Sequence, residues 1–204
     1  MKTLRFLILA MAIASSAQAQ NWTEIGDAGD LIATAQPTVG TGNLVTIDGN
    51  LASATDADVY CVHLLTVPFT NFPIIQITCV VNNGPNVYLF DAAGNGRLLN
   101  ETCSAGVKSI TAPAGLTVGT YYLAVSYSGY SPQSAGGSIW IPGLPGQRVP
   151  DGPGAAGTLT GWAGTPDVQP LNPYHLAIKF FGYCEQPTPT LPATWGALKV
   201  HYTQ

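Results

Sequence analysis

The sequence predicts an all-β fold, an antiparallel β-sandwich with jelly-roll character and about eight or nine strands. Three observations predict it. Apolar residues alternate with polar ones at the two-residue period of a strand in segment after segment. Turn-forming residues separate these segments, in a chain that holds 23 Gly and 16 Pro. Apart from the N-terminal leader, nothing carries a helical stripe except Gly29 to Ala35, which has room for one turn.

The leader comes first. Lys2 and Arg5 precede FLILAMAIA, and SSAQAQ follows with small residues at Ala17 and Ala19. This pattern is expected to be a signal peptide over residues 1–19, cut between Ala19 and Gln20. Its apolar run is too short for a membrane anchor, which needs ~20 residues. The expected localisation is therefore secreted: extracellular, cell surface or periplasmic. The formal net charge of −4 argues against nucleic acid and anionic membranes, which select cationic side chains.

The strands follow in order. NLVTIDGNL ends at a turn signal, Asp48–Gly49. In DVYCVHL, Tyr60, Val62 and Leu64 share one face and Cys61 and His63 the other. PIIQITCVV, Pro73 to Val81, is short and β-branched. NVYLFDAAGNGRLL reads as a hairpin, with Asp91 as a turn former. VGTYYLAVSY places Tyr121, Leu123 and Val125 on one face, and Tyr174 to Tyr183 reads as one last long strand.

Between Gly129 and Pro170 the texture changes, with 10 Gly and 7 Pro in that window. Collagen fails as a reading, because Val149 stands where a third glycine is required. A long Gly/Pro-rich loop at about residues 129–170, inside one domain of residues 20–184, is the expectation. Residues 185–204 then form a Pro-rich linker and tail ending in Trp195, Lys199, His201 and Tyr202. The tail either docks on its own domain or serves as a tag for secretion or attachment.

Cys61, Cys79, Cys103 and Cys184 are candidates for two disulfides, because an even count in an exported chain favours pairing. Three connectivities are open, and free buried thiols are the alternative. No C-x-x-C spacing supports zinc. Catalytic motifs are absent too: no G-x-S-x-G, H-E-x-x-H or P-loop occurs, and His63, His175 and His201 are scattered.

A resemblance is carried by GDAGDLIATAQPTVGTGNLVTIDGNLASATDADVYCVHL, then VYLFDAAGNG, then GTYYLAVSYSGYSP. Their order resembles the bacterial pre-peptidase C-terminal domain family over roughly Glu24 to Gly182. SAGGSIW and GPGAAGTLTGW look like an elaborated form found in exported proteins. The resemblance implies a β-sandwich with jelly-roll character that accompanies secreted enzymes, with some relatives binding collagen or polysaccharide. It also implies calcium in some relatives, held by acidic residues at the N-terminal edge. A protease label belongs to the enzymes such domains flank.

Two candidate sites result. Asp27, Asp30, Asp56 and Asp58 would supply four carboxylates to calcium, a hard cation that takes oxygen ligands. Against this, Asp before a strand commonly caps a turn. Tyr127, Tyr130, Trp140 and Trp162 would stack on a sugar or a protein partner, or fill the core under the loop. The expected function is a secreted non-catalytic binding or structural module, acting on extracellular protein or polysaccharide, with no cofactor other than calcium. The alternative is a small secreted hydrolase with a site in the Gly/Pro-rich loop.

Overall fold

A computed structural model describes residues 20–79, 84–167 and 173–185. The expected signal peptide, the last two residues of PIIQITCVV, the end of the Gly/Pro-rich window and the tail after Glu185 lie outside the described residues.

The first half holds β1 (Gln20–Thr23), a 3-10 turn (Ile32–Thr34), β2 (Gln36–Pro37), β3 (Leu44–Asn50), β4 (Ala57–Leu64), β5 (Pro73–Thr78), β6 (Asn86–Asp91) and β7 (Gly96–Asn100). The second holds β8 (Val107–Thr111), β9 (Gly119–Ser126), β10 (Ser131–Ser134), β11 (Gly137–Ser138), β12 (Gln147–Arg148), β13 (Gly161–Ala163), β14 (Pro173–Ile178) and β15 (Phe181–Tyr183). Eight of these strands have five residues or more. Seven of them fall on segments that the sequence offers as strands, and β8 does not. The rest are two to four residues long, too short for alternation to register.

Two sheets make the sandwich. One runs β1-β3-β14-β5-β8, and the other β12-β7-β6-β9-β4-β15 with β2 also beside β4. Partners distant in sequence, such as β3 with β14 and β4 with β9, give the crossing connections of a jelly-roll arrangement. Pairing is antiparallel except where β1 joins β3 and β2 joins β4, so both sheets are mixed.

Alternation sorts the side chains. Tyr60, Val62 and Leu64 of β4, Val87 and Leu89 of β6, and Tyr121, Leu123 and Val125 of β9 point into the core between the sheets. Their neighbours Val59, Tyr88, Phe90 and Ala124 point the other way, yet they are buried as well. They form a second core with Ile139, Trp140 and Leu159 from the Gly/Pro-rich segment. That segment is therefore a third layer. It carries a small sheet, β11-β10-β13, and covers the outer face of the second sheet.

Glycine permits this close cover. A Cβ on Gly96 would meet the Trp140 ring at 2.6 Å, so the hairpin backbone and the indole touch without one. Asp91 forms the turn of the β6–β7 hairpin by accepting the N–H groups of Ala93 and Asn95, each at 3.0 Å.

The segment Tyr174 to Tyr183 is not one strand. Its first part, β14, lies in one sheet, and β15 lies in the other. Phe180 adopts φ 71, a left-handed conformation that turns the chain across the sandwich. The flanking backbone bonds, Lys179 N–H to Ile74 and Leu65 N–H to the Phe180 carbonyl, go to opposite sheets.

Both disulfides form and use all four cysteines. Cys61 pairs with Cys184 and Cys79 with Cys103, with Cα atoms 5.4 and 6.0 Å apart. The first ties β4 to the chain just past β15, and the second bridges the segments after β5 and β7. No helix among the described residues is long and apolar enough to cross a membrane.

Candidate functional site

Five carboxylates converge at the start of β4. Asp56 and Asp58 flank Ala57, the first residue of that strand. Glu24, Asp27 and Asp30 come from the segment that leaves β1. Backbone bonds dock this segment: Glu24 N–H donates to the Asp48 carbonyl at 2.9 Å, and Val59 N–H to the Gly29 carbonyl at 3.0 Å. Glu24, Asp27 and Asp58 each offer an oxygen within 4.8 Å of the others, and so do Asp27, Asp30 and Asp56. The four aspartates singled out in the sequence are thus brought together. Glu24 completes them, and its only sequence signal is its place at the head of the same acidic segment.

Backbone donors aim the carboxylates. Glu24 accepts the N–H groups of Ala28 and Asn50 at 3.0 and 2.7 Å. Asp27 accepts Gly29 N–H at 3.1 Å, and Asp56 accepts Ala52 N–H. Asp58 is held differently, by a buried phenol. Tyr174 donates its hydroxyl to Asp58 Oδ2 at 2.5 Å, and the Tyr60 hydroxyl donates to Tyr174 at 2.6 Å. Both phenols sit over Gly49, where a Cβ would come within 2.3 Å of one hydroxyl and 2.4 Å of the other. Asp58 Oδ1 has no hydrogen-bond partner among the described residues, although the side chain is 0% exposed.

The electrostatics are those of a site short of positive charge. Burial pushes the Asp58 carboxyl up to about 8, against the Tyr174 bond, and Glu24, Asp56 and Asp27 add repulsion. Asp30 is raised by burial and then by Asp56 and Asp27, and Asp56 is raised by burial and, more weakly, by Asp27. No lysine or arginine is among the groups that perturb these three. An unpartnered, fully buried carboxylate oxygen beside four more carboxylates fits a hard divalent cation with oxygen ligands.

The aromatic candidates divide. Trp140 is 1% exposed and Tyr127 4%, so both rings are packed in the interior. Trp140 lies against Tyr88 and Phe90, at centroid distances of 5.6 and 5.7 Å. Tyr130 and Trp162 are only half-buried and stack on each other at 6.1 Å and 24°. Trp162 donates its indole N–H to the Asp30 carbonyl at 2.6 Å. Asp30 and Asp56 in turn help to raise the Tyr130 phenol, after burial. The stacked pair therefore adjoins the carboxylate cluster.

Two features bear on catalysis. His175 Nδ1 lies 2.5 Å from Asp48 Oδ1 across the β14–β3 pairing, on an exposed face. No serine, threonine or cysteine is hydrogen-bonded to that pair among the described residues. A cleft of about 470 Å³ lies against the Gly/Pro-rich segment, lined by Glu101, Ser128, Leu144 and Asp167 among others. No histidine lines it, and Glu101 is engaged by Arg148 at 3.0 Å. No model of a known protein family and no curated protein matches this chain.

Proposed function

We propose that this chain is a secreted, non-catalytic binding module of the pre-peptidase C-terminal type, with calcium at its N-terminal edge and polysaccharide bound beside the metal. The observation that carries the reading is the Asp58 Oδ1 atom, buried and unpartnered among clustered carboxylates. Glu24, Asp27, Asp30, Asp56 and Asp58 would hold the ion. Calcium takes six to eight oxygens, so carbonyls or waters complete the set. The ion would supply charge that locks the β1–β2 segment onto β4, and a Lewis acid for sugar hydroxyls.

Polysaccharide is favoured over protein because Tyr130 and Trp162 stack beside this edge, and an aromatic face offers a platform for a sugar ring. Secretion accords with two disulfides, which persist in oxidising compartments. The tail after Glu185 serves attachment in this reading. The test is co-sedimentation of the leader-processed protein with insoluble polysaccharides, with calcium and with EDTA. Retention that needs both calcium and Trp162 supports the proposal. Retention indifferent to both, or no retention on any polysaccharide, removes it.

A further inference from the structure

A second buried polar cluster lies outside the carboxylate edge, and its chemistry is different. Lys108 of β8 is 2% exposed and points inward beside Ile110. Its Nζ donates to the Asn86 side-chain oxygen at 2.6 Å and to the Gly84 carbonyl at 3.0 Å. Asn86, at the start of β6, is 1% exposed. Its amide nitrogen donates to Glu101 Oε1 at 3.3 Å. The other oxygen of Glu101 is fixed by Arg148 Nη2 at 3.0 Å. An amine, a carboxamide and a carboxyl group thus stand in line, the first two buried and the third at the edge of the cleft, with the amide between the other two.

From this geometry we infer that Lys108 and Asn86 join in an intramolecular isopeptide bond, with Glu101 moving the proton. The amine is close enough. A C=O bond is ~1.2 Å, so an Nζ 2.6 Å from Oδ1 lies within about 3.8 Å of Cγ. That is near the ~3–3.5 Å of a near-attack arrangement. The protonation states also suit it. Burial lowers the Lys108 ammonium to about 8, against the opposing pull of Glu101 and Asp167, so the nucleophilic free amine is accessible near neutral pH. Burial raises the Glu101 carboxyl in spite of Arg148 and Lys108, which suits a group that both accepts and donates a proton.

The step balances without a co-reactant. Lys108 loses its ammonium proton, and Nζ attacks Cγ of Asn86 to form the new C–N bond. Glu101, whose Oε1 faces Nδ2 at 3.3 Å, gives a proton to that leaving nitrogen, and the second proton released by the attacking nitrogen restores the Glu101 carboxyl. The Cγ–Nδ2 bond breaks and ammonia leaves, carrying the first proton away as ammonium. Nothing is oxidised or reduced. The product links β8 of one sheet to β6 of the other, a tie that reductant cannot undo.

The experiment is peptide mapping of the full chain, expressed with its leader, after reduction of the disulfides. The expected result is one branched peptide joining Lys108 to Asn86, lighter by one ammonia than its two arms. Intact mass alone does not serve, because an N-terminal Gln20 cyclises with the same loss. Glu101→Gln keeps Lys108 and Asn86 and should give two linear peptides. The wild-type measurement needs no variant to fold. Linear peptides from the wild type after prolonged incubation would overturn the inference. Branching at wild-type yield in Glu101→Gln would overturn the role given to Glu101.

Discussion

Asp58 and Tyr174 meet at 2.5 Å across 116 residues of sequence, with the phenol of Tyr174 donating to a carboxyl group that is fully buried. The pair ties β4 of one sheet to β14 of the other, and its unfilled side, Oδ1, faces no donor among the described residues.

This pair makes metal-free stability pH-dependent. The folded Asp58 carboxyl sits at about 8, against 3.8 for the free group, so the folded state holds the proton more tightly. That contribution is fully present below the unfolded value and is lost as pH rises through the folded one. Glu24, Asp56 and Asp27 act on the same carboxyl, and Tyr60 and Tyr174 remain protonated because burial raises both. In EDTA, the melting temperature should fall between about pH 5 and about pH 8. Asp58→Asn should flatten that fall. A melting temperature that rises over this range would contradict the assignment.

Calcium should act in the opposite direction. A ligand at 100 times its Kd stabilises by about 2.7 kcal/mol, or roughly 5–10 °C for a domain of this size. The gain should grow with pH, because ion binding displaces the Asp58 proton. Thermal scans with calcium, magnesium and EDTA measure it. An identical melting curve in all three leaves the carboxylates without an ion.

Trp140 and Trp162 should separate stability from binding. Trp140→Ala opens a cavity in the second core and should cost about 3–5 kcal/mol in chemical unfolding. Trp162→Ala removes a half-buried ring and should cost less, while abolishing retention on polysaccharide. Equal destabilisation by the two would make Trp162 another core residue.

The disulfides should differ in worth. The Cys61–Cys184 bridge closes 123 residues and Cys79–Cys103 closes 24. Loop entropy assigns about 4–5 kcal/mol to the first and about 3 kcal/mol to the second. Double Cys→Ala variants of each pair, unfolded in urea, give the order. Alkylation of the unfolded protein without reductant should label no thiol.

A stop codon after Glu185 should leave melting unchanged, because Glu185 still pairs with Thr38 and Gly40. It should alter where the protein is found after export. Unfolding on truncation would make the tail part of the domain.

By itself, the sequence determined the strand-rich class, most of the long strands though not β8, and the faces of β4 and β9, because alternation is a local property that each strand carries alone. It also singled out Asp27, Asp30, Asp56 and Asp58, since residue type and short spacing are visible in one dimension. Tertiary structure decided the rest. Which cysteines pair depends on Cα distances across the fold. The Gly/Pro-rich segment becomes a layer because Tyr88, Phe90 and Trp140 bury one another, and a segment with little regular periodicity shows no such face in advance. Phe180 splits the last strand because the chain must cross from one sheet to the other there. Glu24 joins the aspartates, and Asn86 comes to lie between Lys108 and Glu101, only when segments distant in sequence are packed together. Burial then raises the Asp58 and Glu101 carboxyls and lowers the Lys108 ammonium, an effect set by surroundings that no single segment contains.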